Sequence, residues 1–345
     1  IGQAAGTPGS IRQVGLCIPP VRSAVPPIGW RDGNRTQRRS KTVKGRHHSM
    51  TNYPYKTREG GATVTVFVPY DCGNHCPFCI NKQEYENPVG FSLEKICESI
   101  RTMDEITPKC DFVFTGGEPF ADLDALQTML DQIPTTHRVF INTTLPTLQG
   151  ATEDDLVAFT EKNKDKITCI NCSRHVVKYV AECSDDIFSR IAVPVRVNCV
   201  LYKDYPKENL KPYLDRFKPY GVSVQFRFDY TDTTPENLYE EESDKILHDL
   251  KDLFHYTGMD GCRMRCGYHF DYDGMELTYH KTLPYSTIQE ADENGQTYRI
   301  LYDIIVKQTG EIHSDWDGTV MDVDAYRNVV FEPYDLVVRE GYINE

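Results

Sequence analysis

The 345-residue chain is 39% hydrophobic and 26% charged, with a formal net charge of −13. These fractions are typical of a globular protein and exclude disorder as the default state. The acidic balance argues against a nucleic-acid partner, because neutralising phosphates requires a basic surface. A small molecule or a peptide is therefore the expected partner.

The apolar stretches are too short for a membrane span, which needs roughly 18 to 20 consecutive apolar residues. No segment has the pattern of a secretory signal. We therefore predict a cytoplasmic protein with no membrane partner. The chain has 12 cysteines, and most lie singly in apolar runs, such as Cys199 in VRVNCVL. They are interpreted as core residues or free thiols, since a disulfide framework suits a short secreted chain.

Residues 1–49 differ from the rest of the chain. They carry nine Lys/Arg and a single acidic residue, Asp32, which gives this segment a charge of about +8 and the remainder about −21. The segment is rich in Gly, Pro and Ser and has no apolar period. It is interpreted as a basic leader that is disordered or non-native, with a transit peptide or a basic arm as the alternatives.

From Met50 onward, β-branched runs alternate with helical periods. The run TVTVFVP predicts the first strand, and apolar residues at helical spacing after Ser92 predict the first helix. Five further strand and helix units follow. Strands are predicted at 63–69, 111–115, 138–142, 167–173, 193–201 and 222–229, and helices from 93, at 123–130, from 152, near 179–190, around 210–217 and around 240–255.

Six strands separated by helical crossovers predict a parallel sheet. We expect an α/β fold in which residues 50–255 form a partial (β/α)6 TIM-like barrel, with the chemistry at the C-terminal ends of its strands. The alternation stops near residue 256. Strand-like segments at 274–282 and 298–313, the latter with a Thr309-Gly310 turn, predict that 256–345 form a β-rich C-terminal extension.

The loop after the first strand carries three cysteines. Cys72, Cys76 and Cys79 have C-x3-C-x2-C spacing in a stretch with no helical period, so three thiolates can converge on one centre. Thiolates favour iron-sulfur clusters or zinc. Three thiolates on a cubane leave one iron open to a substrate. The alternative is a structural zinc knot in which His75 is the fourth ligand.

A second motif ends the next predicted strand. It comprises Gly116, Gly117, Glu118 and Pro119. Paired glycines let backbone approach a ligand closely, and a carboxylate accepts hydrogen bonds from an ammonium group. Taken alone, the four residues also suit an ordinary turn before a helix.

Together, CGNHCPFC and GGEP resemble the radical S-adenosylmethionine (SAM) superfamily, in the same order and at the same strands. Phe78 occupies the aromatic slot of the cysteine motif. The resemblance covers roughly residues 64–229. Within the superfamily, the chain is most similar to the branch that includes the molybdenum-cofactor enzyme and peptide-modifying enzymes.

The resemblance implies a [4Fe-4S] cluster on Cys72, Cys76 and Cys79, with SAM on the fourth iron. It places Phe78 against the adenine of SAM. It also implies that the methionine amino group of SAM is bound by Gly116, Gly117, Glu118 and Pro119. It implies an oxidoreductase that cleaves SAM reductively to a 5'-deoxyadenosyl radical, which abstracts hydrogen from a substrate. A low-potential electron donor such as flavodoxin or ferredoxin is then required.

Polar residues at later strand ends are candidates for further SAM contacts. The resemblance suggests Asn142, Ser173, Arg174 and Asn198, whereas turn chemistry or buried backbone partners are the alternative reading. Gln225 and Arg227 share one face of the sixth predicted strand and are candidates for contacts with the substrate, or for pairing with acidic neighbours.

Other cysteines allow several readings. Cys169 and Cys172 lie three apart in a predicted strand and face opposite sides, so they are interpreted as core thiols. Cys262 and Cys266, with His269 nearby, are open to zinc, to an auxiliary cluster or to free thiols. His313, Asp315, Trp316 and Asp317 either close the barrel mouth or form a polar turn.

Two other functions are compatible with the sequence. One is an activase that generates a glycyl radical on a partner enzyme. The other is a non-catalytic zinc or iron-sulfur module that binds or senses without turnover. The sequence does not identify the substrate.

Overall fold

A computed structural model describes most of the chain after residue 52. The described residues are 53–58, 62–81, 90–107, 109–146, 151–229, 241–260, 267–281, 287–316, 318–332 and 342–343. The predicted leader at 1–49, the pair Cys262 and Cys266, and Asp317 lie outside them. Among the described residues, no helix combines the length and apolarity that crossing a membrane would require.

The described residues contain sixteen strands and six α-helices. The strands are β1 Tyr55–Arg58, β2 Thr63–Phe67, β3 Asp111–Thr115, β4 Arg138–Thr143, β5 Cys169–Ser173, β6 Val195–Leu201, β7 Ser223–Phe228, β8 His255–Asp260, β9 Gly267–Tyr272, β10 Met275–His280, β11 Thr287–Ala291, β12 Thr297–Leu301, β13 Asp303–Val306, β14 Ile312–His313, β15 Val330–Glu332 and β16 Tyr342–Ile343. The helices are α1 Leu93–Ile106, α2 Leu123–Leu130, α3 Glu153–Lys162, α4 Leu210–Asp215, α5 Lys245–Leu253 and α6 Val323–Tyr326.

The first helices begin where the sequence predicts. The Ser92 side chain accepts a hydrogen bond from the backbone N–H of Lys95 at the start of α1. Thr152 and Asp155 form a reciprocal capping box at the start of α3. Such caps satisfy backbone N–H groups that have no partner inside the helix. Local sequence therefore determines these starts.

The helix predicted near residues 179–190 is wrong. The structure has only a short 3₁₀ helix at Asp185–Ser189, whose start is capped by Ser184. The residues before it are held by the rest of the fold instead, since the backbone N–H of Ala181 donates to Asn74 Oδ1 at 3.1 Å. Tertiary contacts thus replace the helical hydrogen bonds of this segment.

The main sheet has twelve strands in the order β14-β13-β2-β3-β4-β5-β6-β7-β10-β9-β8-β16. Strands β2 to β7 are parallel neighbours in chain order. Strand β13 adds to β2 in parallel, and β10 adds to β7 in parallel. The described strands end at β14 and β16 without pairing to each other, so the sheet is not a closed barrel.

Residues after 256 therefore contribute to both edges of the predicted parallel sheet. They also supply most of a second, four-stranded sheet in the order β11-β12-β1-β15. The predicted β-rich character of this region is present, but its strands are built into the main sheet as well. The fold is a mixed α/β structure with a large, mainly parallel sheet.

The two faces of the main sheet differ in chemistry. Val197, Val224 and Leu277 lie in one row across β6, β7 and β10, and all three belong to the hydrophobic core. Core residues from the helices include Ile96, Leu126 and Leu214. Because strand side chains alternate in direction, the neighbouring positions point to the opposite face. That face carries the polar candidates.

Candidate active site

The cysteine loop leaves β2 against the end of β3. The backbone N–H of Val68 donates to the carbonyl oxygen of Thr115 at 3.0 Å. The Tyr70 hydroxyl donates to the carbonyl oxygen of Pro119 at 2.6 Å. The two sequence motifs are thus joined by hydrogen bonds at adjacent strand ends, as parallel neighbours require.

The three thiols share one electrostatic environment. Burial, followed by the charges of Cys79 and Cys72, raises the pKa of the Cys76 thiol to about 12. Burial is also the main cause that raises the pKa of Cys72, and Glu118 and Cys79 contribute to the increase. Three neighbouring thiolates therefore need a positive centre, which metal ligation supplies.

The donor set suits a cluster. In the part of the chain that the structure describes, no three His, Cys, Asp or Glu side chains are grouped closely enough to hold a single metal ion. An iron-sulfur cluster takes soft thiolate ligands, one to each iron that the protein holds. Soft thiolates on Cys72, Cys76 and Cys79 fit that requirement.

Asn74 holds the loop in place, and the sequence did not single it out. Its backbone N–H and its side-chain Nδ2 donate to Cys72 Sγ at 3.4 and 3.7 Å. Nδ2 also donates to Thr144 Oγ1 at 3.3 Å, while Oδ1 accepts from the N–H of Ala181. Asn74 thereby connects the cysteine loop to the end of β4 and to the segment after β5.

The paired glycines bring the two motifs into contact. A Cβ atom on Gly117 would lie 2.1 Å from the carbonyl oxygen of Tyr70 and 2.8 Å from that of Asp71. Gly116 has a φ of 98°, which L-residues with a side chain rarely adopt. Only glycine at 117 lets this turn pack on the backbone that leads into Cys72.

Glu118 is buried and accepts four hydrogen bonds from the protein. Its Oε1 accepts from the N–H of Phe120 at 3.1 Å and from Thr143 Oγ1 at 2.5 Å. Its Oε2 accepts from the N–H and the hydroxyl of Thr144, both at 2.7 Å. Burial raises the pKa of Glu118, and these hydrogen bonds oppose the increase. The carboxylate thus joins β3 to β4.

Arg174 is fully buried and also binds the end of β4. Its Nη1 donates to the carbonyl oxygens of Thr144 and Ser173, each at 2.9 Å. Its Nε donates to Asp185 and its Nη2 donates to the Cys183 sulfur. The guanidinium group is therefore engaged within the protein on all of its nitrogens. Its predicted pairing with a SAM carboxylate stays a prediction.

Phe78 lies in an aromatic cluster. Its ring centroid is 4.8 Å from that of His175, 5.4 Å from that of Tyr179 and 5.6 Å from that of Tyr202. Burial lowers the pKa of His175 to about 4, so its ring is neutral at physiological pH. This aromatic cluster joins the cysteine loop to the ends of β5 and β6. The Phe78 side chain itself is buried.

The remaining candidates occupy successive rows of the polar face. Asn142 Oδ1 accepts from Asn171 at 2.8 Å, and Asn171 Oδ1 accepts from Arg196. Ser173 is the register partner of Asn198 on the next strand. The structure thus brings Ser173 and Asn198 side by side, whereas Asn142 lies in a neighbouring row and binds another asparagine.

The other cysteine and histidine candidates are dispersed. Cys172 is buried in the core, where burial raises its pKa to about 12, whereas Cys169 is only half-buried. His269 is a buried residue of β9. The Trp316 ring packs edge-on to Phe67, with ring centroids 5.7 Å apart. The possibility that the segment at 313–317 closes the mouth of the barrel stays a prediction.

Residues 59–185 match a family model described as a 4Fe-4S single cluster domain. The matched region contains the cysteine loop, the GGEP turn and the candidates at the ends of β4 and β5. This region is therefore similar to [4Fe-4S] single-cluster domains. No curated protein matches the chain.

Among solved structures, SuiB of Streptococcus suis bound to S-adenosylmethionine matches at 12% identity and a TM-score of 0.45, covering 73% of this chain and 60% of that one. The SuiB complex with its precursor peptide SuiA matches at 15% identity and a TM-score of 0.35, over 49% and 40% of the two chains. Native anSMEcpe with bound AdoMet and a peptide, Cp18Cys, matches at 17% identity and a TM-score of 0.38, over 49% and 51%. The matches span between two fifths and three fifths of those chains.

The cluster-domain match supports the resemblance to the radical SAM superfamily that the two sequence motifs indicated. It supports the predicted [4Fe-4S] cluster.

Proposed function

We propose that the chain is a radical SAM enzyme that forms a 5'-deoxyadenosyl radical and uses it to abstract hydrogen from a small molecule or a peptide. The contact between the two motifs is the observation that carries the proposal. Gly117 packs on the backbone carbonyls of Tyr70 and Asp71, directly before the first cluster cysteine. The turn that would bind SAM therefore lies against the loop that would hold the cluster.

The chain's own residues supply ligation and orientation. Cys72, Cys76 and Cys79 would hold the cluster, which when bound supplies the electron that cleaves the sulfonium C–S bond. The backbone of Gly116, Gly117 and Pro119 would bind the methionine part of SAM. Glu118 fixes the turn to β4 through Thr143 and Thr144. Preorganised polar groups of this kind need no rearrangement when the cofactor binds.

The side chains at the ends of β5 and β6 extend this site. Ser173 and Asn198 are in register and would face the cofactor, while Asn142 would act from the neighbouring row. Phe78 would contact the adenine from within its aromatic cluster. Such walls also exclude water, which protects a radical from unwanted hydrogen donors.

We propose that residues 50–255 form the catalytic partial (β/α)6 barrel, that 256–345 extend it, and that 1–49 are a leader. A reducing compartment such as the cytoplasm would preserve the cluster. A flavodoxin or ferredoxin would supply the electron.

The experiment uses the full chain, purified without oxygen and reconstituted with iron and sulfide. After dithionite and SAM are added, 5'-deoxyadenosine is measured by mass spectrometry. We expect Cys76→Ser to lower its formation at least about 100-fold, because one cluster ligand is lost. Cys169→Ser, which changes a thiol outside the motif, should retain it.

Two results would contradict the proposal. Formation of 5'-deoxyadenosine that is unaffected by Cys76→Ser would show that the cleavage does not depend on this loop. Tightly bound zinc together with no SAM cleavage would favour the non-catalytic metal module instead.

A further inference from the structure

A row of polar residues crosses the sheet beside the proposed SAM site. Gln225 on β7 is the register partner of Asn198 on β6 and of Thr278 on β10. Ser173 continues the same row on β5. Neighbouring strands lie about 4.8 Å apart, so Thr278 is roughly 10 Å from Asn198. The row links the predicted cofactor residues to β10, which the sequence had assigned to the extension.

Three oxygens of this row are buried and accept no hydrogen bond within the described residues. They are Asn198 Oδ1, Gln225 Oε1 and Thr278 Oγ1. Gln225 is only 2% exposed and Thr278 only 9% exposed. A buried acceptor without a donor destabilises a fold, so three in one row require an explanation.

The row points away from the hydrophobic core. Val224 and Phe226 flank Gln225 along β7 and belong to the core, as do Leu277 and Tyr279 beside Thr278. Alternation along the strands therefore directs Gln225 and Thr278 to the polar face, on the same side as Ser173. That face is the one that carries the site residues.

Asn171, on the same face, shows what a structural amide looks like here. It is 4% exposed, its Nδ2 donates to Asn142, and its Oδ1 accepts from Arg196. Its side chain is satisfied by its neighbours on β4 and β6. Gln225 is as deeply buried, yet its oxygen has no such partner in the described part of the chain.

We propose that Gln225 and Thr278, with Asn198 at their border, bind the substrate through an uncharged group that carries N–H or O–H donors. All three oxygens belong to neutral side chains, so the row selects hydrogen-bond donors rather than a charge. The donors are amide N–H groups or hydroxyls about 5 Å apart. The naming of this ligand as the substrate rests on the proposed function.

The first test needs no ligand and uses the full chain without metal. Replacing a residue whose acceptor is unsatisfied by an apolar residue of similar size removes a destabilising group. We expect Gln225→Met and Thr278→Val each to raise the unfolding temperature by about 1–4 °C. The control Asn171→Leu should lower it, since Arg196 and Asn142 lose their partner. A lower unfolding temperature in both row variants would overturn the proposal.

The second test measures binding to the same metal-free chain by saturation-transfer NMR. The amide probe is N-acetyl-glycyl-glycinamide and the hydroxyl probe is methyl glucoside. We expect a signal from at least one probe, weakened at least about fivefold in the Gln225→Met/Thr278→Val double variant. A signal from one probe alone identifies the source of the donors. No signal from either, or equal signals from wild type and variant, would overturn the proposal.

Neither test depends on cluster assembly or SAM cleavage. If both support the row but the wild-type chain forms no 5'-deoxyadenosine, the ligand site stands and the proposed reaction fails. If 5'-deoxyadenosine forms and the row fails either test, the reaction stands without this substrate site.

Discussion

Two stretches of the same polar face differ in how their hydrogen bonds are satisfied. Around the ends of β3 and β4, Glu118 accepts four hydrogen bonds, and Thr144 is bound by Asn74 and Arg174 as well. Across β6, β7 and β10, Asn198, Gln225 and Thr278 keep buried oxygens that accept none within the described residues. We call the first stretch the closed region and the second the open row.

The difference separates two tasks. A closed hydrogen-bond network holds loops rigidly, which suits residues that must orient a cofactor. An open row leaves capacity for a ligand at the cost of stability. Substitutions in the closed region should therefore destabilise the fold, whereas apolar substitutions in the open row should not.

The largest expected effect is at the contact between the two motifs. Gly117→Ala places a methyl group 2.1 Å from the Tyr70 carbonyl oxygen, so the backbone must move. We expect a loss of more than about 3 kcal/mol in the free energy of unfolding, together with poor cluster retention, measured by urea unfolding and by iron content. Gly221→Ala is the control for backbone strain alone: its φ of 61° costs alanine about 1–2 kcal/mol, while its added methyl group meets nothing within 4 Å. Equal losses in both variants would mean that this close contact is not needed.

Next in size is Glu118→Gln. Whichever oxygen becomes an amide NH2, a backbone N–H of Phe120 or Thr144 then faces a donor. We expect a loss of about 3 kcal/mol in the free energy of unfolding, measured by urea titration. The exposed Glu105→Gln should change it by less than about 0.5 kcal/mol. An unchanged Glu118→Gln protein would show that the region is not closed.

His175 lies where the two stretches meet, and its effect depends on pH. Because burial lowers its pKa to about 4 in the folded protein, the unfolded chain binds the proton more readily between about pH 4 and 6.5. The stability that His175 contributes is therefore present above that window and is lost on acidification. We expect a difference of about 1–3 kcal/mol across it.

The measurement compares urea unfolding at pH 7 and pH 4.5 for the wild type and His175→Phe. The variant should lose stability less steeply on acidification. The exposed His255→Gln should follow the wild type. Identical pH profiles for all three proteins would show that His175 is not held neutral by burial.

The smallest expected effect is at Asn74. Asn74→Leu removes the side-chain bonds to Cys72 Sγ, Thr144 and the N–H of Ala181, while its backbone N–H still donates to the sulfur. We expect a loss of about 1 kcal/mol in unfolding free energy. With a cluster bound, the reduction potential should fall, because hydrogen bonds to ligand sulfur stabilise the reduced state.

Electron paramagnetic resonance during a redox titration measures that potential. The control is Asn328→Leu, an exposed position far along the sequence from the cysteine loop. A potential unchanged by Asn74→Leu would remove Asn74 from the cluster environment and leave it a purely structural link.

Much of the fold was predictable because it depends on local sequence. Strand β3 and helix α2 have the predicted bounds, and Ser92 and Thr152 cap the helices they precede. Neighbouring side chains set these features, so a short window suffices. The cysteine spacing and the glycine pair identified the candidate site for the same reason.

The tertiary structure decided what joins residues far apart in the chain. Strand β13 adds to β2 and β10 adds to β7, which carries Thr278 to Gln225. The backbone N–H of Ala181 donates to the distant Asn74, and Glu118 finds donors on β4. Which strands pair, and in which register, depends on burial and hydrogen bonding summed over the whole sheet, and no short segment contains that information. The sequence by itself therefore determined the chemistry of the cysteine loop, whereas only the assembled sheet placed the partners around it.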